Sequence, residues 1–263
     1  MNAVKRHPLT AFFILTYALT WGFLPLGTFM AAGPLLAAPI VIPISQGRAG
    51  LRELGSRLIR WRVGWRWYAV GLGVPLAVHL LTVLLNLALG APAPSLAQFR
   101  PWTAVLLVFA VRLVNPVDGP IGEEPGWRGF AQPRLQSRRS PLIATLILGL
   151  LVVVWHVPLL LPEYGLRPID LLTTFAVTIF YAWLFNHAGG SVLITIVAHA
   201  AEGSVNLGEF YPSGTAEERA NLLYAVVWSA VAIGLIVLDW RFWQRTAPEA
   251  ARTREDESVD QLP

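Results

Sequence analysis

Eight apolar stretches, at about 9–28, 29–46, 67–89, 101–117, 141–161, 168–186, 189–207 and 220–239, leave this chain few ways to fold. A helix crossing the hydrocarbon core of a bilayer needs about 20 mostly apolar residues. Lipid offers no partner to an open backbone N–H or C=O, so helices are the natural way to span it. The expected fold is all-α: a polytopic membrane helical bundle of about eight transmembrane helices, with six or seven as the range below. The second stretch carries Pro34, Pro39 and Pro43, which predict a kinked or broken helix. The seventh is short and holds two ionisable groups. The first is too long for a cleavable signal peptide and lacks a small-residue cleavage pattern, which predicts a retained anchor. Residues 1–245 read as a single transmembrane domain with its functional core at about 101–207, and residues 246–263 as a disordered cytoplasmic tail.

Charge supports the same reading. Only 14% of residues are charged, against roughly 25% in a soluble domain. The absence of cysteine excludes a disulfide framework, a thiolate zinc site and a cysteine nucleophile. A net charge of +4 raises the question of nucleic acid, but the cations are segregated instead of pooled. Sixteen of the 20 lie before the first stretch or after the second, fourth and eighth: Lys5 and Arg6; six arginines from Arg48 to Arg66; Arg128, Arg134, Arg138 and Arg139; and four from Arg241 to Arg254. Positive residues collect in cytoplasmic loops. Both termini are therefore expected in the cytoplasm of a multi-pass cell-membrane protein, and no nucleic-acid partner is expected. Between residues 50 and 62, Leu51, Leu54, Leu58 and Trp61 share one helical face opposite arginines. That pattern suits a helix lying in the headgroup region, with Trp65 and Trp67 at the interface. No internal repeat supports an inverted-repeat transporter.

Ionisable groups inside lipid are costly and mark function by default. Three clusters stand out: Gly122-Glu123-Glu124-Pro125-Gly126-Trp127-Arg128-Gly129 at the cytoplasmic end of the fourth stretch, Trp155-His156-Val157-Pro158 within the fifth, and His199 to Asn206 in the seventh. Carboxylates and imidazoles on three helices are enough for one buried polar site that activates water. One glutamate would act as general base, and Arg128, four or five residues on, would pair with the other. His156 and His199 would hydrogen-bond the water and the developing oxyanion, or else ligate a divalent metal. Asn206, two helical turns past His199, would add an oxyanion donor. Blander readings stand beside these: an interfacial acidic pair bridged to Arg128, histidines bonded to backbone carbonyls, and Glu202 as a structural carboxyl. Arg112 is expected to pair with Asp118 or Glu124. Ser191 and Ser204 sit in no nucleophile-elbow pattern, and His7, His79 and His187 look incidental.

These clusters resemble the CPBP family, the CAAX protease and bacteriocin-processing or abortive-infection (ABI) family of intramembrane endopeptidases, which includes the type II CAAX prenyl endopeptidases. The resemblance spans about residues 118–207. It rests on Glu-Glu-Pro-Gly-Trp-Arg-Gly-Phe at 123–130, Trp-His-x-Pro at 155–158, the Gly189-Gly190-Ser191 lead and the late His199. It implies an eight-helix membrane protease with its site inside the bilayer, opening to the cytoplasm. Glu123 would activate the hydrolytic water, Glu124 would assist through Arg128, and His156 and His199 would be the second- and third-motif histidines. Members are usually described as metalloproteases, so a divalent metal such as zinc is an implied cofactor; a mechanism using glutamate and histidine alone is also argued.

Two positions depart from the family pattern. Val152 stands where Phe usually precedes the second-motif histidine by four residues. Gly203 stands where Asn or Asp usually follows the third by four. The expectation is an intramembrane endopeptidase that hydrolyses a peptide bond with Glu-activated water. Its substrate would be a peptide or protein segment reaching the site from the membrane or cytoplasmic side, and membrane lipids would be its other partners. Glu123, His156 and His199 should converge to within reach of one bridging water. A non-catalytic scaffold or bacteriocin-immunity protein, and a proton-coupled transporter using Glu123, His156 and Glu202, are the alternatives.

Overall fold

The structure, a computed structural model, describes residues 2–245. The expected disordered tail at 246–263, with Arg252 and Arg254, lies outside the described residues. Within them the chain forms α1 (Asn2–Arg6), α2 (Pro8–Trp21), α3 (Gly33–Leu58), α4 (Trp65–Ala88), α5 (Thr103–Val114), α6 (Gly119–Gly126), α7 (Gln132–Gln136), α8 (Pro141–His156), α9 (Pro168–His187), α10 (Val192–Ser204), α11 (Leu207–Phe210), α12 (Thr215–Leu238) and α13 (Trp240–Trp243). A π-helical turn, Trp127–Ala131, joins α6 to α7. No strand occurs among the described residues.

Six helical segments are long and apolar enough to cross a membrane: Pro8–Leu26, Trp65–Ala88, Thr103–Gln136, Pro141–Leu160, Pro168–His187 and Thr215–Leu238. The two remaining stretches of the expected eight are helical but fall short for visible reasons. α3 contains Pro39 and Pro43 and breaks its helical dihedrals at Gly47 (φ 65°, ψ −158°), after which it turns arginine-rich. α10 has only 13 residues. The 101–117 run also continues further than its hydropathy indicates. α5 stops at Val114, the chain turns through Asn115–Asp118, and the helix resumes as α6 and runs to Gln136. Glu123 and Glu124 therefore lie inside the Thr103–Gln136 segment, past the break, and Arg128 is a buried residue instead of a loop cation.

Local chemistry sets the helix ends. Ser140 and Ser191 cap α8 and α10 by accepting from Ile143 N at 3.4 Å and Ile194 N at 3.3 Å. Asp118 caps α6 by accepting from Gly119 N at 2.7 Å. Pro120 and Pro141 stand in first turns, where a missing N–H costs nothing. Pro125 lies inside α6 just ahead of the π turn. Insertions of this kind in a helix often accompany functional sites.

Two of the apolar clusters among the described residues are large. One joins α4, α9 and α12 through Trp67, Phe180, Leu184 and Trp228. The other joins α2, α3, the π turn and α8 through Phe12, Ile42, Trp127, Leu148 and Trp155. Leu80, Leu84, Leu107, Leu150 and Val237 point outward, as a lipid-facing surface requires. Two segments expected at the interface also pack on the bundle. Trp67 is buried against Trp183, with ring centroids 5.6 Å apart, while Trp65 is exposed. The amphipathic 50–62 segment is tied to the bundle: Leu54 is buried, Arg57 donates to Gly129 O at 2.9 Å, and Arg60 donates to Gly189 O.

Candidate functional site

α6, the π turn, α8, α9 and α10 enclose a cavity of about 280 Å³ whose lining includes Glu123, Glu124, Arg128, His156, His199 and Glu202. Four separate helical segments thus bring five of the six expected site residues to one space. The sixth, Asn206, lies elsewhere. α10 ends at Ser204, so the helical face projected from His199 does not reach position 206; Asn206 instead accepts from Gly208 N at 2.9 Å, capping α11.

α6 can deliver its glutamates here because it lies hard against α3. A Cβ at Gly126 would stand 2.5 Å from Pro34 Cβ and 2.6 Å from Pro34 O, so only glycine allows this approach. Glu124 is fully buried, and its Oε1 accepts from Arg128 Nη1 and from His199 Nδ1, both at 3.0 Å. Arg128 also donates to Thr178 O at 3.4 Å and lies over the Tyr181 ring at 5.1 Å. His199 also stacks on Tyr181, with centroids 5.2 Å apart. Burying an ion pair without such extra donors would cost more than it returns.

Glu123 is held differently. Its Oε2 accepts from Trp127 Nε1 at 3.1 Å, while Oε1 makes no hydrogen bond among the described residues. A Cβ on Gly119 would lie 2.9 Å from His199 Nε2 and 3.1 Å from Glu123 Oε1, so these two atoms converge beside the Gly119 Cα. His156 Nδ1 lies 2.8 Å from Val152 O. A carbonyl only accepts, so Nδ1 carries the proton and Nε2 is the free nitrogen. Val152, the first departure from the family pattern, lines the cavity.

The second departure has a structural counterpart. A Cβ at Gly203 would fall 2.3 Å from Arg112 Nη2 and 2.4 Å from Cζ, so a guanidinium occupies the space that a side chain there would take. Arg112 pairs with Asp118 at 3.2 Å, one of its two expected partners. Glu202 lines the cavity, with Oε1 accepting from Tyr224 Oη at 2.9 Å. Ser191 donates to Arg60 O and Ser204 to Ala200 O, and neither lines the cavity.

Sequence reasoning missed Trp127 as the donor to Glu123, Tyr181 as the platform for His199, and Arg112 over Gly203. Thr174, Thr178 and Tyr181 line the cavity from one face of α9. Their spacing of four and three residues within an apolar span was the available signal.

The donor set does not suit a divalent cation. Among the described residues no three His, Asp or Glu side chains group as metal ligands. The inner carboxylate Glu124 is already engaged by Arg128 and His199, and a guanidinium beside it opposes a second cation.

The site lies at the His156 end of α8 and the Glu202 end of α10. Arg57 and Arg60 bind near the opposite ends, at Gly129 and Gly189. The cavity and the arginine-rich side, where an opening is expected, thus lie toward different ends of α8.

Residues 101–204 match the family model described as type II CAAX prenyl endopeptidase Rce1-like. The chain is also 26% identical over 201 residues to CAAX prenyl protease 2 of Methanococcus maripaludis, covering 71% of this chain and 72% of that protein. The resemblance drawn from the 123–130, 155–158 and 199 motifs thus has independent support over the segment that builds the cavity.

Proposed function

We propose that this chain, whose residues 101–204 match the Rce1-like type II CAAX prenyl endopeptidases, is an intramembrane CAAX-protease-like endopeptidase that uses Glu123 to activate water. One observation carries the reading. Glu123 Oε1 and His199 Nε2 face the same spot beside Gly119, while the second polar atom of each side chain is tied down by Trp127 and Glu124. Pre-oriented groups flanking a water-sized space are what hydrolysis requires.

In the proposed reaction, water placed between Glu123 and His199 attacks the scissile carbonyl carbon, and Glu123 Oε1 takes its proton. The C=O π pair moves onto oxygen. Collapse of the tetrahedral intermediate breaks the C–N bond, and the proton held by Glu123 passes to the departing amine, leaving a carboxylic acid and an amine. Glu124 keeps the His199 ring turned so that Nε2 faces the water. His156 lines the same cavity and presents Nε2 toward the developing oxyanion. No step is routed through a metal.

The substrate would be a membrane-associated peptide or protein segment. Comparing peptide termini in membranes of cells carrying the wild type or Glu123→Gln tests this. Cleavage products present only with the wild type support it. Identical termini, with Glu123→Gln supporting the cell as well as the parent does, would favour the non-catalytic scaffold.

A further inference from the structure

A second cavity, about 350 Å³ in volume, lies at the other end of α8, where α1, the kinked middle of α3 and the α7–α8 connection meet. Lys5, Arg6, Arg134, Arg138 and Arg139 line it, together with no carboxylate. None of the five forms a salt bridge among the described residues. The carboxylate that bears on Arg134 is Glu53, which is bound to Arg57 at 2.5 Å. Arg134 is fixed in place: Nη1 donates to Phe130 O at 3.0 Å and the guanidinium lies 3.5 Å over the Phe130 ring. Its Nη2 is buried with no hydrogen-bond partner among the described residues. An orphaned guanidinium nitrogen amid uncompensated positive charge calls for an oxyanion ligand.

Its position indicates which oxyanion. The lining includes Pro8 and ends just before Pro141, the first residues of two membrane-spanning segments, so the cavity stands at headgroup depth. Just inside it, Ile14 and Ile143 are 66% and 51% exposed, offering apolar surface below the charges. A soluble phosphate has no use for that surface; an amphiphile does.

We propose that this cavity binds the phosphodiester headgroup of an acidic phospholipid, with the acyl chains lying along α2 and α8. The site is separate from the peptidase cavity by the length of α8, roughly 24 Å at 1.5 Å per residue, and its occupancy does not depend on catalysis.

Native mass spectrometry of the full chain in detergent, titrated with phosphatidylglycerol or phosphatidylcholine, tests the proposal. One phosphatidylglycerol per chain should be retained, and phosphatidylcholine should not. Each interfacial cation contributes roughly fivefold to affinity for anionic lipid. Arg138→Gln/Arg139→Gln, at two exposed positions, should therefore weaken retention by roughly twenty-fivefold, and Arg62→Gln/Arg66→Gln, outside the cavity, should not. Equal retention of the two lipids, or an unaffected Arg138/Arg139 variant, would overturn the proposal. So would displacement of phosphatidylglycerol by an equal concentration of inorganic phosphate, which would reassign the cavity to a soluble anion.

Discussion

His199 Nδ1 lies 3.0 Å from Oε1 of Glu124, the same oxygen that receives Arg128 Nη1 at 3.0 Å. One buried oxygen thus fixes both the ion pair and the orientation of the imidazole, and the two adjacent glutamates carry separable burdens. Glu124→Ala would leave Arg128 charged, buried and unpaired, a situation that costs about 3–5 kcal/mol. Glu123 gives up only the bond from Trp127. Thermal unfolding in detergent should therefore show a large loss for Glu124→Ala and a small one for Glu123→Gln, while both lose peptidase activity.

Gly119 offers a cleaner probe of the space between Glu123 and His199. An added methyl would come within 2.9 Å of His199 Nε2 and 3.1 Å of Glu123 Oε1, filling the place proposed for water. Gly119→Ala should lower turnover at least about hundredfold, the scale of lost general-base catalysis, with expression and unfolding temperature little changed. Near-normal turnover would show that the water sits elsewhere.

Asn206 caps α11 and is not among the cavity's lining residues. Asn206→Ala should cost about 0.5–2 kcal/mol as a lost cap and leave kcat unchanged, as measured by unfolding and by cleavage rate. At Gly203 the expectation reverses: Gly203→Asn would push its Cβ into the Arg112 guanidinium, disturb the Arg112–Asp118 pair and reduce activity.

The absence of cysteine makes topology directly measurable. Arg138→Cys and Glu163→Cys place single thiols at exposed positions flanking the two ends of α8. With both termini cytoplasmic, a membrane-impermeant maleimide added outside intact cells should label position 163 and spare 138. The reverse pattern would turn the bundle over and set the peptidase cavity on the cytoplasmic half.

The apolar runs and the three polar clusters made the all-helical membrane bundle and the cavity's carboxylates, histidines and arginine legible in advance, because lipid enforces helices and penalises stray charge. Failures occurred where tertiary context decides. The break at Asn115–Asp118 and the new helix that starts there placed Glu123 inside the bundle, and termination of α10 at Ser204 carried Asn206 away. Hydropathy registers neither event, since both depend on turns and caps instead of apolar content. Arg112 over Gly203 was equally hidden: a missing side chain announces a gap, but not which distant residue fills it.

The central proposal, Glu123 as the base that activates water, is tested most directly by the rate at which purified protein cleaves a peptide identified by comparing membrane peptide termini. Wild type should cleave, and Glu123→Gln in the same detergent should be slower by at least about hundredfold, with its unfolding temperature within a few degrees of the parent. Cleavage by Glu123→Gln at the wild-type rate would contradict the assignment.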